Sequence, residues 1–165
     1  MALGAGGPSL RRKKRLIIVA NRLPVHRVGT GDAAKWQSSA GGLVTAMAPV
    51  LSKSRGTWVG WTGVAGRALR AFTHNGLSVR PVGMTAHEVE QFYHGFSNRT
   101  LWPLYHDAIR APEFRREWWW HYVDLNQRYA RAAARAARHG DTVWIHDYHL
   151  QLVPRILREA RPDLR

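Results

Sequence analysis

Three short stretches of this chain carry residue types suited to holding a phosphorylated, hydroxyl-rich molecule. The first, Asn21-Arg22-Leu23-Pro24, follows an apolar run and offers a guanidinium, whose rigid fork of donors matches a phosphate. The second, Ser38-Ser39-Ala40-Gly41-Gly42, ends in a glycine pair just before an apolar segment. At a helix start the backbone N–H groups lack intrahelical partners, and glycine lets an anion come close to them. The third, His146-Asp147-Tyr148-His149, places a carboxylate among imidazole and phenol rings. Tyr93 and Trp102 add two flat rings with polar tips, beside Ser97-Asn98 and Trp102-Pro103, which read as turns. Each stretch also has a plain structural reading. Gly41 would be an ordinary N-cap, Asp147 a cap on the following helix, and the histidines and aromatics packing residues.

These side chains need a frame that gathers them. Leu16 to Ala20 is a continuous apolar run of strand length, the pattern of a strand buried on both faces. Thr57 to Trp61 and Leu77 to Val82 read as further strands, and Thr142 to Ile145 as a short buried one. Leu43 to Leu51 reads as a helix that Pro49 kinks or shortens. Thr85 to Glu88 has capping-box form and opens a helix from Ala86 to about Phe96. Pro112 to His139 reads as a long helical region, opened by Pro112 and stopped by Gly140, with Trp119, Tyr122, Asn126 and Tyr129 on its buried stripe. Leu150 to Leu157 reads as the last helix. Trp58 and Trp61, three apart on a strand, face opposite sides, so at least one is expected near the surface or a crevice. Strands alternating with helices predict an α/β fold: a Rossmann-like parallel sheet with helices on both faces. Ligands of such sheets bind beyond the carboxyl ends of the strands, where Arg22, the glycine pair and the tetrad all fall.

Composition narrows the function classes. With 165 residues, 45% of them hydrophobic, and eight Trp, the chain is long and apolar enough to build a core. No apolar run approaches the roughly 20 residues that cross a bilayer. The basic run Arg11 to Arg15 precedes only five apolar residues, so it is no secretory signal. The lack of cysteine excludes disulfides and thiolate metal sites, and fits a cytoplasmic location. A net charge of +14 raises the question of nucleic acid. Residues 1–15, however, read as a flexible basic leader. Arg128, Arg131, Arg135 and Arg138 read as the solvated face of the helix from Gln127 to His139. Nucleic acid is therefore the weakest partner reading, although surplus charge would draw in sugar phosphates and nucleotides.

Six stretches together carry a resemblance. Asn21-Arg22-Leu23-Pro24-Val25, Ser39-Ala40-Gly41-Gly42-Leu43, Trp58-Val59-Gly60-Trp61, Phe92-Tyr93 with Phe96-Ser97-Asn98, Leu101-Trp102-Pro103 and Trp144 to Leu150 follow in order. They resemble the N-terminal part of the trehalose-6-phosphate synthase family, over roughly Leu16 to Arg161. The resemblance implies the acceptor-side half of a two-domain GT-B glycosyltransferase. Such an enzyme moves glucose from a nucleotide-glucose, typically UDP-glucose, to glucose 6-phosphate with retention and without a metal or other cofactor. It implies that Arg22 and Tyr93 hold the acceptor phosphate with Trp102 beside them, that Asp147 bonds the acceptor sugar, and that Trp61 walls its pocket. Gly41 and Gly42 would offer N–H groups to the donor diphosphate.

The same resemblance marks what is missing. The family's donor-binding Arg and Lys, its ribose-binding carboxylate and its His-Ile-Pro-type loop have no counterpart before Arg165. Residues 16–165 are thus expected to be an incomplete N-terminal domain, without the second, donor-side domain and with little or no activity alone. A related transferase with another phosphorylated acceptor, or a non-catalytic sugar-phosphate sensor or regulatory subunit, would carry the same pocket. The base of the donor nucleotide and the oligomeric state, homo-oligomer included, stay open, and nothing calls for a membrane.

Overall fold

An apolar strand with no polar face can only sit inside a covered sheet, and Leu16–Arg22 (β1) does so, with Ile17, Ile18 and Val19 fully buried. The computed structural model describes residues 14–29, 35–107 and 110–165. β1 is flanked by Thr57–Trp61 (β4) and by Thr142–Ile145 (β7), both parallel to it. Leu77–Val82 (β6) runs parallel to β4, and Phe72–His74 (β5) closes that edge antiparallel, giving the order β5-β6-β4-β1-β7. A separate hairpin pairs Val25–Val28 (β2) with Lys35–Ser38 (β3), where the sequence reads as a plain polar loop.

Both faces are covered, as the α/β pattern requires. On one, the helix Gly42–Ser54 (α1) sets Leu51 into a cluster with Ile18, Trp58 and Val79. On the other, Ile17, Val19, Val59 and Trp61 meet Phe92, Tyr122, Leu125, Tyr129 and Leu157. These residues come from the helix Arg116–Ala136 (α4), the helix Val153–Ala160 (α5) and a helical rod between β6 and α4. Each such large apolar side chain, fully buried, contributes about 1.5–3 kcal/mol.

The rod starts where the capping box predicts. The Glu88 N–H donates to Thr85 Oγ1 at 3.2 Å, and the Thr85 N–H to Glu88 Oε2 at 2.7 Å. It then outruns the expected end near Phe96. Ala86–Glu88 (α2) passes into a wider, π-helical stretch, Val89–Leu101, and on into Trp102–His106 (α3) without leaving helical backbone. Ser97-Asn98 and Trp102-Pro103 are therefore helical rather than turns, with Pro103 falling where the π-helical stretch gives way to α3. The wider stretch buries Gly95, and a Cβ there would stand 2.8 Å from the Trp118 ring. Trp118 fills that groove and is 5% exposed, whereas Trp119, expected on the buried stripe, is 38% exposed.

Three more expectations change. Pro49 neither ends nor shortens α1, which runs to Ser54. Pro112 does not open α4, because residues 112–115 are tied down beside the π-helical stretch, the Glu113 N–H donating to Arg99 O at 2.8 Å, and Arg115 is still extended. Among the described strands β7 pairs with β1 alone, its Val143 N–H meeting Arg165 O on the other side, and it is not fully buried, Trp144 being half-exposed. Trp58 and Trp61 face opposite sides as expected, and although both are buried because the sheet is covered on both, Trp58 lies at a crevice, the cavity described below.

Of the supposed basic leader, residues 1–13 lie outside the described residues, while Arg15 is anchored rather than loose. Its guanidinium pairs with the buried Asp141 at 2.7 Å and also donates to Ala136 O. Arg128 likewise leaves the solvated face, bonding Glu88, Asp124 and Gly83 O. Arg131, Arg135 and Arg138 are exposed as expected.

Candidate functional site

The carboxyl ends of β1 and β7 open on a cavity of about 340 Å³. Arg22, Leu43, Trp58, Tyr93, Asp147 and His149 are among its walls. A cleft of this size suits a small polar ligand.

Arg22 is the last residue of β1. Its guanidinium lies over the Trp61 ring, 4.9 Å from the centroid, and meets no carboxylate among the described residues. Gly63 makes room for it: at φ +89 it holds a backbone that side chains disfavour, and a Cβ there would stand 2.1 Å from an Arg22 terminal nitrogen. Trp61 is pinned in turn, its indole N–H donating to Val64 O at 2.9 Å.

From Trp61 a row of rings runs along the cavity. Tyr93 lies 5.8 Å from Trp61, His149 stacks on Tyr93 at 5.7 Å, and Tyr148 stacks on His149 at 4.2 Å. His106 meets Tyr148 edge-on at 6.3 Å, and Trp102 stacks on His106 at 4.7 Å. The row is held from behind by α4. The Tyr122 hydroxyl donates to Tyr148 O at 2.7 Å and accepts the Gln151 N–H at 3.1 Å. Buried Asn126 donates to His149 O and accepts the Leu152 N–H, both at 3.1 Å. Two α4 side chains thus satisfy the backbone of the short 3₁₀ turn Tyr148–Leu150 and fix where the tetrad points.

Asp147 begins that turn with a left-handed φ of 76. Its Oδ1 accepts the Tyr148 N–H at 2.7 Å and its Oδ2 stands 3.5 Å from His149 Nδ1. The His149 side chain foremost, then the Tyr148 N–H and the His149 and His146 charges, hold this carboxyl below the usual carboxylate range, against partial burial pulling upward. It is an anion at neutral pH, ready to accept from hydroxyls. The Tyr148 phenol, pushed up to about 12 by burial and by the Asp147 charge, stays a neutral donor and reaches Asn98 Oδ1 at 3.3 Å.

Opposite lies the start of α1. Ser39, Ala40, Leu43 and Val44 line the cavity, no side chain caps the helix, and nothing stands within 4 Å of a Cβ placed on Gly41 or Gly42. The first-turn N–H groups are left open to an anion.

A guanidinium that meets no carboxylate among the described residues, an ionised Asp, stacked rings and an uncapped helix start surround one cleft, an arrangement whose chemistry suits a phosphorylated polyol. Residues 14–165 match the model of glycosyltransferase family 20. The chain belongs to that family. It is 50% identical over 165 residues to the trehalose-6-phosphate synthase of Mycolicibacterium smegmatis, covering 99% of this chain and 33% of that protein. It is 52% identical over 158 residues to that of Mycobacterium tuberculosis, covering 90% and 31%. Among solved structures, a UDP-forming α,α-trehalose-phosphate synthase from Burkholderia vietnamiensis superposes with a TM-score of 0.74 at 32% identity, over 89% of this chain and 31% of that one. One from Burkholderia xenovorans in complex with glucose-6-phosphate superposes with a TM-score of 0.70 at 30% identity, over 88% and 31%. The chain thus spans about a third of the length of the relatives it matches. The Rossmann-like sheet is that of the N-terminal part of these GT-B enzymes.

Within this family 20 fold, Arg22, Tyr93 and Asp147 come together on one cavity, as the sequence suggests. Trp61, expected to wall the pocket, does not line the cavity; it lies behind it, 3% exposed, packed against Arg22 and Tyr93, and Trp58 is the tryptophan on the wall. Gly41 and Gly42 sit at the helix start between residues that line the cavity. Trp102 stands apart: it is 43% exposed and touches the row only through His106. Sequence reasoning left out His149 and Gly63. The first was visible only as part of the tetrad and the second only as the Thr62-Gly63 end of a strand, and neither shows a partner in the sequence.

Proposed function

We propose that this chain forms the acceptor side of a retaining glucosyltransferase that makes trehalose 6-phosphate from glucose 6-phosphate and a nucleotide-glucose, UDP-glucose first among donors. One observation carries the reading: Arg22, without a carboxylate partner among the described residues, and the ionised Asp147 open on the same cleft. Arg22 and Tyr93 would hold the phosphate, Asp147 would accept from sugar hydroxyls, and Trp61 would keep the guanidinium in place. Trp102, outside the cleft as it stands, would join only if α3 shifts toward it. The open N–H groups at Gly41 and Gly42 would face the donor diphosphate.

In the reaction, the bond from the anomeric carbon to the diphosphate oxygen breaks as a bond to the acceptor's 1-hydroxyl oxygen forms on the same face. The hydroxyl proton passes to the departing diphosphate. Orientation of that hydroxyl is the acceptor side's main contribution. Cationic and N–H donors neutralise the leaving group, so the reading needs no resident metal or other cofactor, and a chelator should leave turnover of the full-length enzyme unchanged. Charged phosphosugars and nucleotide sugars do not cross bilayers unaided, which supports a cytoplasmic reaction. No helix among the described residues is long and apolar enough to cross a membrane.

Calorimetric titration of the 165-residue chain tests the grip directly. Glucose 6-phosphate should bind more tightly than glucose, and Arg22→Ala should remove that preference. Equal, weak binding of both sugars would sink the proposal. A panel of other phosphorylated acceptors separates this acceptor from a related one.

A further inference from the structure

Among the described residues, His149 is a deeply buried side chain with both of its polar atoms unsatisfied. It is 6% exposed, and neither ring nitrogen has a hydrogen-bond partner among the described residues. Burying an imidazole without partners costs free energy, so such a group is retained where a partner arrives later or where strain is useful. Its neighbours indicate which. The ring is clamped between Tyr148 and Tyr93, with Phe92 6.3 Å away, so it cannot turn to find a partner elsewhere. Its Nδ1 faces Asp147 Oδ2 at 3.5 Å, long for a hydrogen bond and about half an ångström from a good one. The other Asp147 oxygen is already held by the Tyr148 N–H. Both nitrogens are sealed from solvent, so although the His149 ring forms part of the cavity wall, neither nitrogen offers a ligand in the cleft a hydrogen bond.

We propose that His149 is a positioning residue for the acceptor: when the sugar engages Asp147, the Nδ1–H···Oδ2 contact closes and locks the carboxylate, while the stacked His149 ring holds Tyr93 beside it. The inference rests on the proposed acceptor site. Contacts that are long in an empty site commonly tighten in the complex. One side chain then sets two acceptor residues drawn from different elements, Tyr93 on the π-helical stretch and Asp147 after β7. The Asp147 carboxyl, held below the usual carboxylate range with the His149 side chain as the first cause, agrees with an N–H donor aimed at it.

Two substitutions separate positioning from packing. In His149→Asn the amide nitrogen falls near the place of Nδ1, whereas in His149→Gln it falls near Nε2, with a longer side chain than Asn. Glucose 6-phosphate affinity of H149Q should drop roughly tenfold, and H149N should recover most of it. In an Asp147→Asn background the two should become equal, because the carboxylate they differ in serving is gone. Equal losses in H149N and H149Q with Asp147 present would overturn the proposal and leave His149 a packing residue. If either variant fails to fold, imidazole nitrogen NMR of the wild-type chain decides. Nδ1 should carry the proton, and its signal should shift toward a stronger hydrogen bond on adding glucose 6-phosphate. An Nε2–H tautomer in the complex would overturn the proposal. Failure of the wild-type chain to bind any sugar phosphate would instead refute the acceptor site itself, a result distinct from these.

Discussion

β1 and β7 lie side by side, and each has a charged residue at both of its ends. Arg15 and Asp141 precede them, and Arg22 and Asp147 stand at their far ends. At the near ends the charges have closed on each other. Asp141 accepts the Arg15 N–H at 3.0 Å, the Arg138 N–H at 2.8 Å and two guanidinium bonds, and is buried. At the far ends they have not. Arg22 rests on a tryptophan face, Asp147 keeps an exposed carboxylate, and a cavity separates their roles. The residue types are the same, and the surroundings differ. Gly63 and Trp61 hold the Arg22 guanidinium without neutralising it, whereas backbone N–H groups and Arg15 saturate Asp141. A saturated pair fastens two strands, and an unsaturated one waits for a ligand.

The comparison breaks first at the saturated end. Asp141→Ala should cost about 3 kcal/mol of stability, since it strips a buried guanidinium and two N–H groups of their acceptor. Urea unfolding of the 165-residue chain measures it, and a loss under about 1 kcal/mol would mean the pair is no fastener. Glucose 6-phosphate affinity of the folded variant should be unchanged. At the unsaturated end the effects reverse. Arg22→Ala should leave the urea midpoint in place and weaken glucose 6-phosphate binding roughly 30-fold, the worth of about 2 kcal/mol of charge-assisted bonds. A stability loss matching that of Asp141→Ala would make Arg22 structural too.

The two ends were not equally legible. The continuous run Leu16 to Ala20 can only be a covered strand, so the far end of β1 was located, and with it Arg22 and the crevice. Partners were not visible. Arg15 and Asp141 stand 126 residues apart, and without the sheet Arg15 reads as the last of five basic residues in a tail. Thr142 to Ile145 has the composition of a buried strand, and only the sheet order shows that β7 pairs with β1 alone among the described strands. Residues 86–106 hold Gly95, Ser97-Asn98 and Pro103, each a local signal for a break. The helix runs through all three: the Trp118 ring needs Gly95, and Pro103 falls where the π-helical stretch gives way to α3.

A smaller effect sharpens the claim that Arg22 is held but not neutralised. Gly63→Ala brings a Cβ onto the guanidinium and forces a strained φ, so Arg22 must move off Trp61. Glucose 6-phosphate binding should weaken roughly tenfold, and tryptophan fluorescence should lose its response to the ligand. The same loss in an Arg22→Ala background would show that Gly63 acts by some other route.

The smallest effect is in pH, again at the saturated end. Burial pulls the Asp141 carboxyl upward, but the Arg138 and Arg15 N–H groups and the Arg15 guanidinium together hold it below its ordinary value. A carboxyl held low in the folded state binds its proton more readily when unfolded. Its stabilisation is therefore complete above the unfolded value, about 3.9, and fades as pH falls through the lower folded one. The stability gap between the native chain and Asp141→Asn should stay constant from about pH 7 to 5 and narrow only below about pH 4. A gap already closing near pH 6 would point to a histidine instead and would remove Asp141 from the saturated end of the comparison.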